Sequence, residues 1–235
     1  MNAKELKEGI RDGFPICLGY LSVSMAFGLT AVKMGIPVWT AVLISLTNLT
    51  SAGQFAGTTL LVAQGTYIEL AVTTFIINIR YFLMSLSVSQ KVNKEFTTAQ
   101  RIMASFGITD EVFAVSMQRR KELSFPYMAG LIITPILGWT GGTLIGAVAT
   151  SLLPEIVTDA MGIALYGMFI AIIVPPAREQ KSVLFAVILA IIASCAFTYL
   201  PVLSKVSGGW SVIIVTVVVS AITAILFPVE EKEGA

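Results

Sequence analysis

Two short apolar runs, Val38–Leu46 and Phe55–Ala63, flank a small and polar run that extends from Thr47 to Gln54. As a helix, each flank of nine residues is about 13 Å long, roughly half of the ~30 Å hydrocarbon core of a bilayer. Lipid cannot satisfy free backbone N–H and C=O groups, so non-helical backbone at this depth lies inside protein or along a water-filled cavity. The pattern therefore predicts a broken membrane helix beside a path for a substrate or an ion.

The composition places the chain among polytopic membrane proteins. Hydrophobic residues make up 56% of the sequence and charged residues 12%, whereas an ordinary soluble domain has about 25% charged residues. We therefore predict an all-α membrane protein with a single integral transporter domain over residues 1–235. The net charge of +1 gives no basic surface for nucleic acid. Cys17 and Cys195 lie in apolar runs, where we expect free thiols rather than a disulfide.

The distribution of cations predicts the topology. Apolar segments lie at Ile16–Val32, Val38–Ala63, Tyr67–Ser87, Ile102–Gln118, Phe125–Leu152, Ala160–Val174, Ser182–Leu203 and Trp210–Phe227. If Val38–Ala63 and Ile102–Gln118 are re-entrant, twelve of the fifteen cations lie with both termini on the cytoplasmic side, in agreement with the positive-inside rule. We therefore predict about six transmembrane helices and two broken segments that enter from opposite faces, an arrangement that several secondary transporters use to build a site.

Small residues recur at every fourth position of the long segment Phe125–Leu152. They are Gly130, Thr134, Gly138, Gly142, Gly146 and Thr150. Such a ladder allows a neighbouring helix to approach closely. Each step of four residues drifts by about 40° around a helix of 3.6 residues per turn. We therefore expect two or more helices to share the ladder, with a second subunit as one candidate source.

The polar run supplies candidates for a binding site, because hydroxyls, amides and exposed backbone suit the charged head of a small zwitterion or a dehydrated cation. If Phe55–Ala63 is helical, Ser51, Gly53 and Gln54 lie at its N-terminal end, where the helix dipole favours a carboxylate, whereas helix C-termini favour amino groups. The predicted substrate-binding residues are Asn48, Ser51, Gly53, Gln54, Phe55 and Asn78. The alternative is that these residues only hold helices together, with Gly53 and Gly57 as a packing pair.

Three charged residues, Arg80, Asp110 and Glu111, interrupt apolar segments. A charge inside the membrane costs several kcal/mol unless it is paired or hydrated. We therefore predict that these residues control gating or proton coupling, with an ion pair between Arg80 and the acids as one arrangement. The alternatives are that Arg80 extends towards the headgroups and that the two acids form the first turn of a helix capped by Thr109.

The aromatic residues Tyr20, Phe27, Phe55 and Trp139 are candidates to line a pocket for an aliphatic side chain. Their alternative roles are packing and anchoring at the membrane interface. The sequence contains no histidine, no G-x-x-x-x-G-K-[ST] phosphate loop and no G-x-S-x-G elbow. We therefore expect no enzyme activity, no metal and no cofactor.

Six short motifs occur in a characteristic order. They are Gly13-Phe14-Pro15 with Leu18-Gly19-Tyr20, Ala26-Phe27-Gly28, Ser51-Ala52-Gly53-Gln54-Phe55, Asn78-Ile79-Arg80-Tyr81, Thr109-Asp110-Glu111 and Gly138-Trp139-Thr140-Gly141. In these motifs the chain resembles the AzlC family of branched-chain amino acid permeases. The resemblance implies export of valine, leucine, isoleucine and sometimes methionine from bacterial cells, together with a small hydrophobic subunit of the AzlD type. Where many relatives carry a histidine after the arginine, this chain has Tyr81, which removes any role for a titrating imidazole there.

The sequence features predict a secondary transporter, and the resemblance implies export of branched-chain or other neutral amino acids across the bacterial inner membrane. We expect alternating access, a proton gradient as the driving force, and a small AzlD-type subunit as partner. The direction of transport comes from the resemblance alone. Two other classes stay open: a passive channel for a small solute or ion, which opposed re-entrant segments suit equally well, and a membrane assembly subunit that transports nothing.

Overall fold

The computed structural model describes residues 3–152, 170 and 173–228. The helices are α1 (Ala3–Lys33), α2 (Val38–Thr47), α3 (Ser51–Val62), α4 (Tyr67–Lys91), α5 (Thr98–Phe106), α6 (Asp110–Gln118), α7 (Phe125–Leu152), α8 (Lys181–Tyr199) and α9 (Gly208–Leu226). A short 3-10 helix covers Leu203–Lys205, and residues 173–179 are also helical. Within these described ranges no strand forms, and Val92 and Leu123 make an isolated bridge.

Five of these helices, α1, α4, α7, α8 and α9, are long and apolar enough to cross a bilayer, and α2 is a shorter apolar helix. This confirms the predicted all-α polytopic membrane fold. The five helices correspond to five of the six predicted spans. The sixth predicted span, Ala160–Val174, lies outside the described residues except for positions 170, 173 and 174.

The first predicted helix break is present but narrower than the polar run suggested. The non-helical residues are 48–50, and Ser51–Gln54 already belong to α3. Asn48 leaves the helix in an extended conformation after its backbone N–H has closed the last turn of α2 on the Ile44 carbonyl. Thr50 then restarts the chain as a helix, because its hydroxyl oxygen accepts the backbone N–H of Gly53 at 3.1 Å and so satisfies a free first-turn donor.

The second predicted break also exists, but the two acids do not form it. A capping box between Thr97 and Gln100 starts α5, which ends before Gly107. The non-helical residues are 107–109, and Asp110 begins α6. Thr109 caps α6 by accepting the backbone N–H of Val112. The interpretation of Thr109 as an N-cap is therefore confirmed, and the acids occupy the first turn because the helix dipole favours negative charge there.

The chain divides into two compact units. One consists of Met1–Thr58 and Ile77–Leu165, and the other of Thr59–Ile76 and Tyr166–Ala235. Both α3 and α4 contribute residues to each unit. The single transporter domain over residues 1–235 stays a prediction.

In the first unit, α1 and α7 pack in parallel along the glycine ladder. Gly130 lies against Leu6 and Ile10, and Gly146 lies against Met25 further along α1. The intervening Gly138 and Gly142 also meet α1, and a Cβ atom on any of these four glycines would fall within 2.0–2.4 Å of an α1 atom. The expectation that several helices divide the ladder is therefore wrong for its glycines. The contacts advance by about four residues on both helices, so the drift of the ladder around α7 is matched by an equal drift on α1.

One end of the first unit is held together by charge. Arg119, which follows α6, pairs with Glu5 at 3.6 Å and Glu8 at 3.2 Å in the first turns of α1. Its guanidinium carbon lies 3.6 Å from the ring centroid of Tyr127 at the start of α7. Leu123 donates its backbone N–H to the Lys91 carbonyl at the end of α4. The starts of α1 and α7, the end of α4 and the end of α6 therefore share one end of the unit.

The α5–α6 segment is a hairpin whose two ends lie at this charged end. Near its start, Arg101 donates to the hydroxyl of Ser89 in the last part of α4 at 3.0 Å. Arg119, directly after the hairpin, pairs with the first turns of α1. This geometry agrees with a segment that enters and leaves on one face. The cytoplasmic assignment of that face stays a prediction.

In the second unit, α8 packs on α9, and the rings of Phe185 and Phe227 lie 5.6 Å apart. Glu69 is only 3% exposed. Its carboxylate accepts hydrogen bonds from the Ser207 hydroxyl and from the backbone N–H of Trp210, the latter at 3.2 Å. A negative charge at a helix N-terminus satisfies free amides and the dipole, so Glu69 fixes the start of α9.

We expect Gly142→Ala to destabilise the first unit, because the new methyl group would lie 2.1 Å from the Ser24 hydroxyl and 2.4 Å from the Leu21 carbonyl. Overpacking of this kind costs about 1–3 kcal/mol. The matched control is the neighbouring Gly141→Ala, where a Cβ atom meets nothing within 4 Å, so the change is neutral or gains up to about 1 kcal/mol of helix propensity. Thermal unfolding of the two purified variants measures the difference, and equal stabilities would contradict the packing argument.

Candidate functional site

The first break places a buried amide between α2, α3 and α7. The Gln54 side chain, in the first turn of α3, is 1% exposed. Its Oε1 accepts the indole N–H of Trp139 at 3.2 Å and the Ser45 hydroxyl at 3.4 Å. The Ser45 hydroxyl also lies 2.7 Å from that of Thr143, which donates to the Trp139 carbonyl. We call Gln54, Ser45, Thr143 and Trp139 the amide cluster.

The Gln54 amide nitrogen has no hydrogen-bond partner among the described residues. Its orientation is fixed chemically, since the indole N–H is only a donor and must meet the amide oxygen. The nitrogen therefore carries two buried N–H donors without an acceptor. A buried polar group left in this state costs about 1–3 kcal/mol, which a bound acceptor would recover.

Beside this amide, the break is tied to α4. The Thr50 hydroxyl donates to the Asn78 amide oxygen at 2.8 Å. Gly53 lies directly against Asn78, since an added Cβ atom would be 2.9 Å from the Asn78 amide nitrogen. The structure thus brings Gln54, Gly53 and Asn78 to one place, with Gly53 packing on Asn78.

An apolar wall adjoins the break. The rings of Phe27 and Phe55 meet edge to face at 5.1 Å. Phe27, Ala31 and Ala41 are buried together, with Phe55 and Ile44 packed against them. Of the other predicted binding residues, Asn48 lies in the break directly after α2, and Ser51 is the first residue of α3.

The charged residues meet at the tip of the second hairpin. Arg80 pairs with Asp110 at 2.9 Å, and the two side chains are 52% and 46% exposed. Arg80 also donates to the Tyr81 hydroxyl at 3.3 Å. The ion pair between Arg80 and an acid was one of the arrangements expected from the sequence, and it forms with Asp110. We call Arg80, Asp110 and Glu111 the charged cluster.

Asp110 lies outside the five helices long enough to span a bilayer. Burial raises the pKa of its carboxyl group above the ordinary value, Arg80 acts in the opposite direction, and the Glu111 charge raises the pKa further. This carboxyl group therefore takes up a proton at a higher pH than a free aspartate does.

Several residues of the site were not singled out from the sequence. Thr50, Ser45 and Thr143 carry the hydrogen bonds that hold Gln54 and Asn78. Their only sequence signal is a small hydroxyl inside an apolar segment, which many membrane helices share. Within the described residues, no group of three or more His, Cys, Asp and Glu side chains is placed to hold a metal.

The sequence pattern of the AzlC protein family matches residues 15–153, a stretch that contains both clusters. The chain belongs to the AzlC family. It is 28% identical to the inner membrane protein YgaZ of Escherichia coli over 182 residues, which cover 74% of each protein. It is 31% identical to a membrane protein of Archaeoglobus fulgidus over 171 residues, 72% of this chain and 74% of the relative.

A membrane protein of Helicobacter pylori is 24% identical over 205 residues, covering 82% of this chain and 88% of the relative. No solved structure matches this chain. AzlC is a family of membrane transport proteins rather than of enzymes. The family membership and the spanning helices place this AzlC protein in a membrane.

We expect the hydrogen bond between Trp139 and Gln54 to contribute to stability. Removing one partner leaves a buried polar group, whereas replacing both by apolar groups restores part of the loss. In a double-mutant cycle with Trp139→Phe and Gln54→Leu, the double variant is therefore about 1 kcal/mol more stable than the sum of the two single changes predicts.

Thermal unfolding of the four proteins measures this coupling free energy. Trp39→Phe is the matched control for the loss of an indole, because Trp39 is 70% exposed. Strict additivity of the two single changes would show that the hydrogen bond adds nothing.

Proposed function

We propose that this AzlC protein is the large subunit of a secondary transporter that exports branched-chain or other neutral amino acids across the bacterial inner membrane. It works with a small AzlD-type subunit and is driven by the proton gradient. The observation that carries the proposal is the buried Gln54 amide, whose nitrogen lacks an acceptor among the described residues, at the N-terminus of a helix that starts in the break. The relative YgaZ is named as an inner membrane protein, which supports the proposed location in the inner membrane.

The carboxylate of the substrate binds at the start of α3. Thr50 already occupies the backbone N–H of Gly53, so the donors left for a carboxylate are the preceding first-turn amides and the Gln54 side chain. Asn48 in the break and Ser51 at the start of α3 flank this position, and Gly53 keeps Asn78 close to it. The positive end of the α3 dipole adds an attraction for negative charge.

The aliphatic side chain of the substrate lies against aromatic rings. Phe27 and Phe55 supply the wall beside the break, and Tyr20 and Trp139 extend it. Phe27 is 1% and Trp139 2% exposed, so both rings belong to a closely packed apolar interior. Valine, leucine, isoleucine and methionine gain about 25 cal/mol for each Å² of apolar surface buried there.

The charged cluster supplies the proton site. Arg80 and Asp110 are about half exposed, and ionisable groups inside a membrane protein face a water-filled cavity or each other. Protons from water thus reach Asp110 and Glu111, whereas the Gln54 amide stays buried. Proton entry on these carboxylates drives the exchange of conformations that releases the amino acid on the other side.

The decisive experiment is counterflow of labelled leucine into proteoliposomes that contain the chain alone or with its small subunit. We expect leucine-specific counterflow by the complex and a loss of at least about tenfold, equal to 1.4 kcal/mol, in Gln54→Ala and in Arg80→Ala. Both variants stay folded by size-exclusion chromatography. The matched controls are Gln90→Ala and Arg120→Ala, which change exposed side chains outside both clusters.

Wild-type flux from both site variants would contradict the site assignment. Non-saturable flux without counterflow would favour a channel, and no flux of any solute from a folded complex would favour an assembly subunit.

The pH dependence gives a separate test. Because the pKa of Asp110 is raised, its protonated form is populated at a higher pH than for a free aspartate. Asp110→Asn removes this titration, so we expect an imposed pH gradient to stimulate counterflow less than it does in the wild type. Glu95→Gln, at an exposed position, is the control and keeps the full stimulation. An unchanged response of Asp110→Asn would remove Asp110 from the proton site.

A further inference from the structure

Tyr20 joins the charged cluster to the amide cluster. Its hydroxyl contacts the Glu111 carboxylate and, at 2.7 Å, the Thr109 hydroxyl, both at the start of α6. Its ring meets the Trp139 ring edge to face, with centroids 5.1 Å apart and planes inclined by 67°. Trp139 in turn donates its N–H to Gln54. The chain of contacts from Glu111 to Gln54 is therefore continuous.

The Tyr20 hydroxyl has one hydrogen and two acceptors. When Glu111 is ionised, the hydrogen is held by the carboxylate, because hydrogen bonds to charged groups are the stronger ones. When a proton from water neutralises Glu111, the carboxyl group carries its own hydrogen and can donate it to the phenol oxygen. The phenolic hydrogen then turns to Thr109. One proton enters, and Tyr20 keeps its own hydrogen throughout.

The Trp139 side chain is closely packed and responds to such a change. It is 2% exposed, it contacts the Tyr20 ring, and it follows Gly138, which lies against the α1 backbone at Cys17. Closely packed interiors respond to a shifted side chain as a unit rather than by local relaxation. A change in the hydrogen bonds between α6 and the Tyr20 hydroxyl therefore changes the position of the Trp139 ring. The Trp139 N–H, which fixes the Gln54 amide oxygen, moves with it.

We propose that Tyr20 is a positioning residue that couples protonation of Glu111 to the orientation of the Gln54 amide through Trp139. The inference deepens the proposed function and rests on it for the role of Gln54 as a substrate ligand. The titratable groups around Tyr20 are Asp110 and Glu111 from α6 and Arg80 and Tyr81 from α4. On its own helix, Cys17 lies one turn earlier.

The first test does not need transport. The sequence has three tryptophans, Trp39, Trp139 and Trp210, so Trp39→Phe with Trp210→Phe leaves Trp139 as the only indole. We expect its emission in the purified protein to show one sigmoidal transition with pH. The transition is lost in Glu111→Gln and in Tyr20→Phe. It persists in Tyr67→Phe, which makes the same chemical change at a side chain that is 86% exposed.

An emission that does not change with pH, or a transition of equal size in Tyr20→Phe, would overturn the inference. If the protein with the single indole does not fold, the difference between wild-type and Trp139→Phe emission isolates the same signal. A transition that is lost in Asp110→Asn but kept in Glu111→Gln would also overturn it, because the proton would then act through the wrong carboxylate.

The second test measures coupling. In Tyr20→Phe we expect an imposed pH gradient no longer to stimulate leucine counterflow, so the fluxes with and without the gradient become equal. Tyr67→Phe keeps the wild-type ratio of the two fluxes. A merely structural role would lower both fluxes together and leave the ratio unchanged, which would overturn the inference. Absence of leucine counterflow from the wild-type complex would instead contradict the proposed function, and the fluorescence test would still decide the link between Glu111 and Trp139.

Discussion

The close contact between the backbones of α1 and α7 sets the positions of the other parts of the first unit. Lipid offers no hydrophobic driving force between helices, so their association depends on dense packing and polar contacts. Here the density comes from glycines that leave no room for a Cβ atom, with Gly138 against Cys17 and Gly142 against Leu21. Because Gly138 allows α1 and α7 to approach closely, the ring centroids of the nearby Tyr20 and Trp139 lie 5.1 Å apart. A larger residue at position 138 would push α1 away from α7 and would weaken the contact between the Tyr20 and Trp139 rings.

The two helix breaks are built in the same way. In each, a threonine hydroxyl accepts the backbone N–H three residues later: Thr50 that of Gly53, and Thr109 that of Val112. Each hydroxyl also bonds a side chain of a long helix, Asn78 of α4 and Tyr20 of α1. Non-helical backbone inside a membrane protein survives only where such groups are satisfied. Each threonine therefore satisfies a free backbone amide at the break and also attaches the break to a spanning helix.

The sequence was sufficient for the features that depend on local pattern. Apolar runs too short to span predicted both broken segments, Thr109 before two acids predicted a helix start, and charges inside apolar segments predicted that Arg80 could pair with the acids. Features that depend on which helices meet were beyond it. The drift of about 40° per step around a straight helix predicts several partners for the ladder on α7, whereas its glycines all meet α1. The bond between Trp139 and Gln54 joins residues far apart in the chain. Ser45 and Thr143 had no signal that separates them from other buried hydroxyls.

The two helix ends that meet at the first break explain why an amino acid suits the proposed site better than a simple anion. A helix break offers two opposite partial charges within a few residues, since a helix C-terminus carries a partial negative charge and a helix N-terminus a partial positive charge. Only Asn48, Leu49 and Thr50 separate the two helix ends. An α-amino acid carries an ammonium and a carboxylate on one carbon, so the break can meet both. A simple anion would meet only the amides of α3 and the Gln54 side chain, and would leave the negative end of the α2 dipole without a cation.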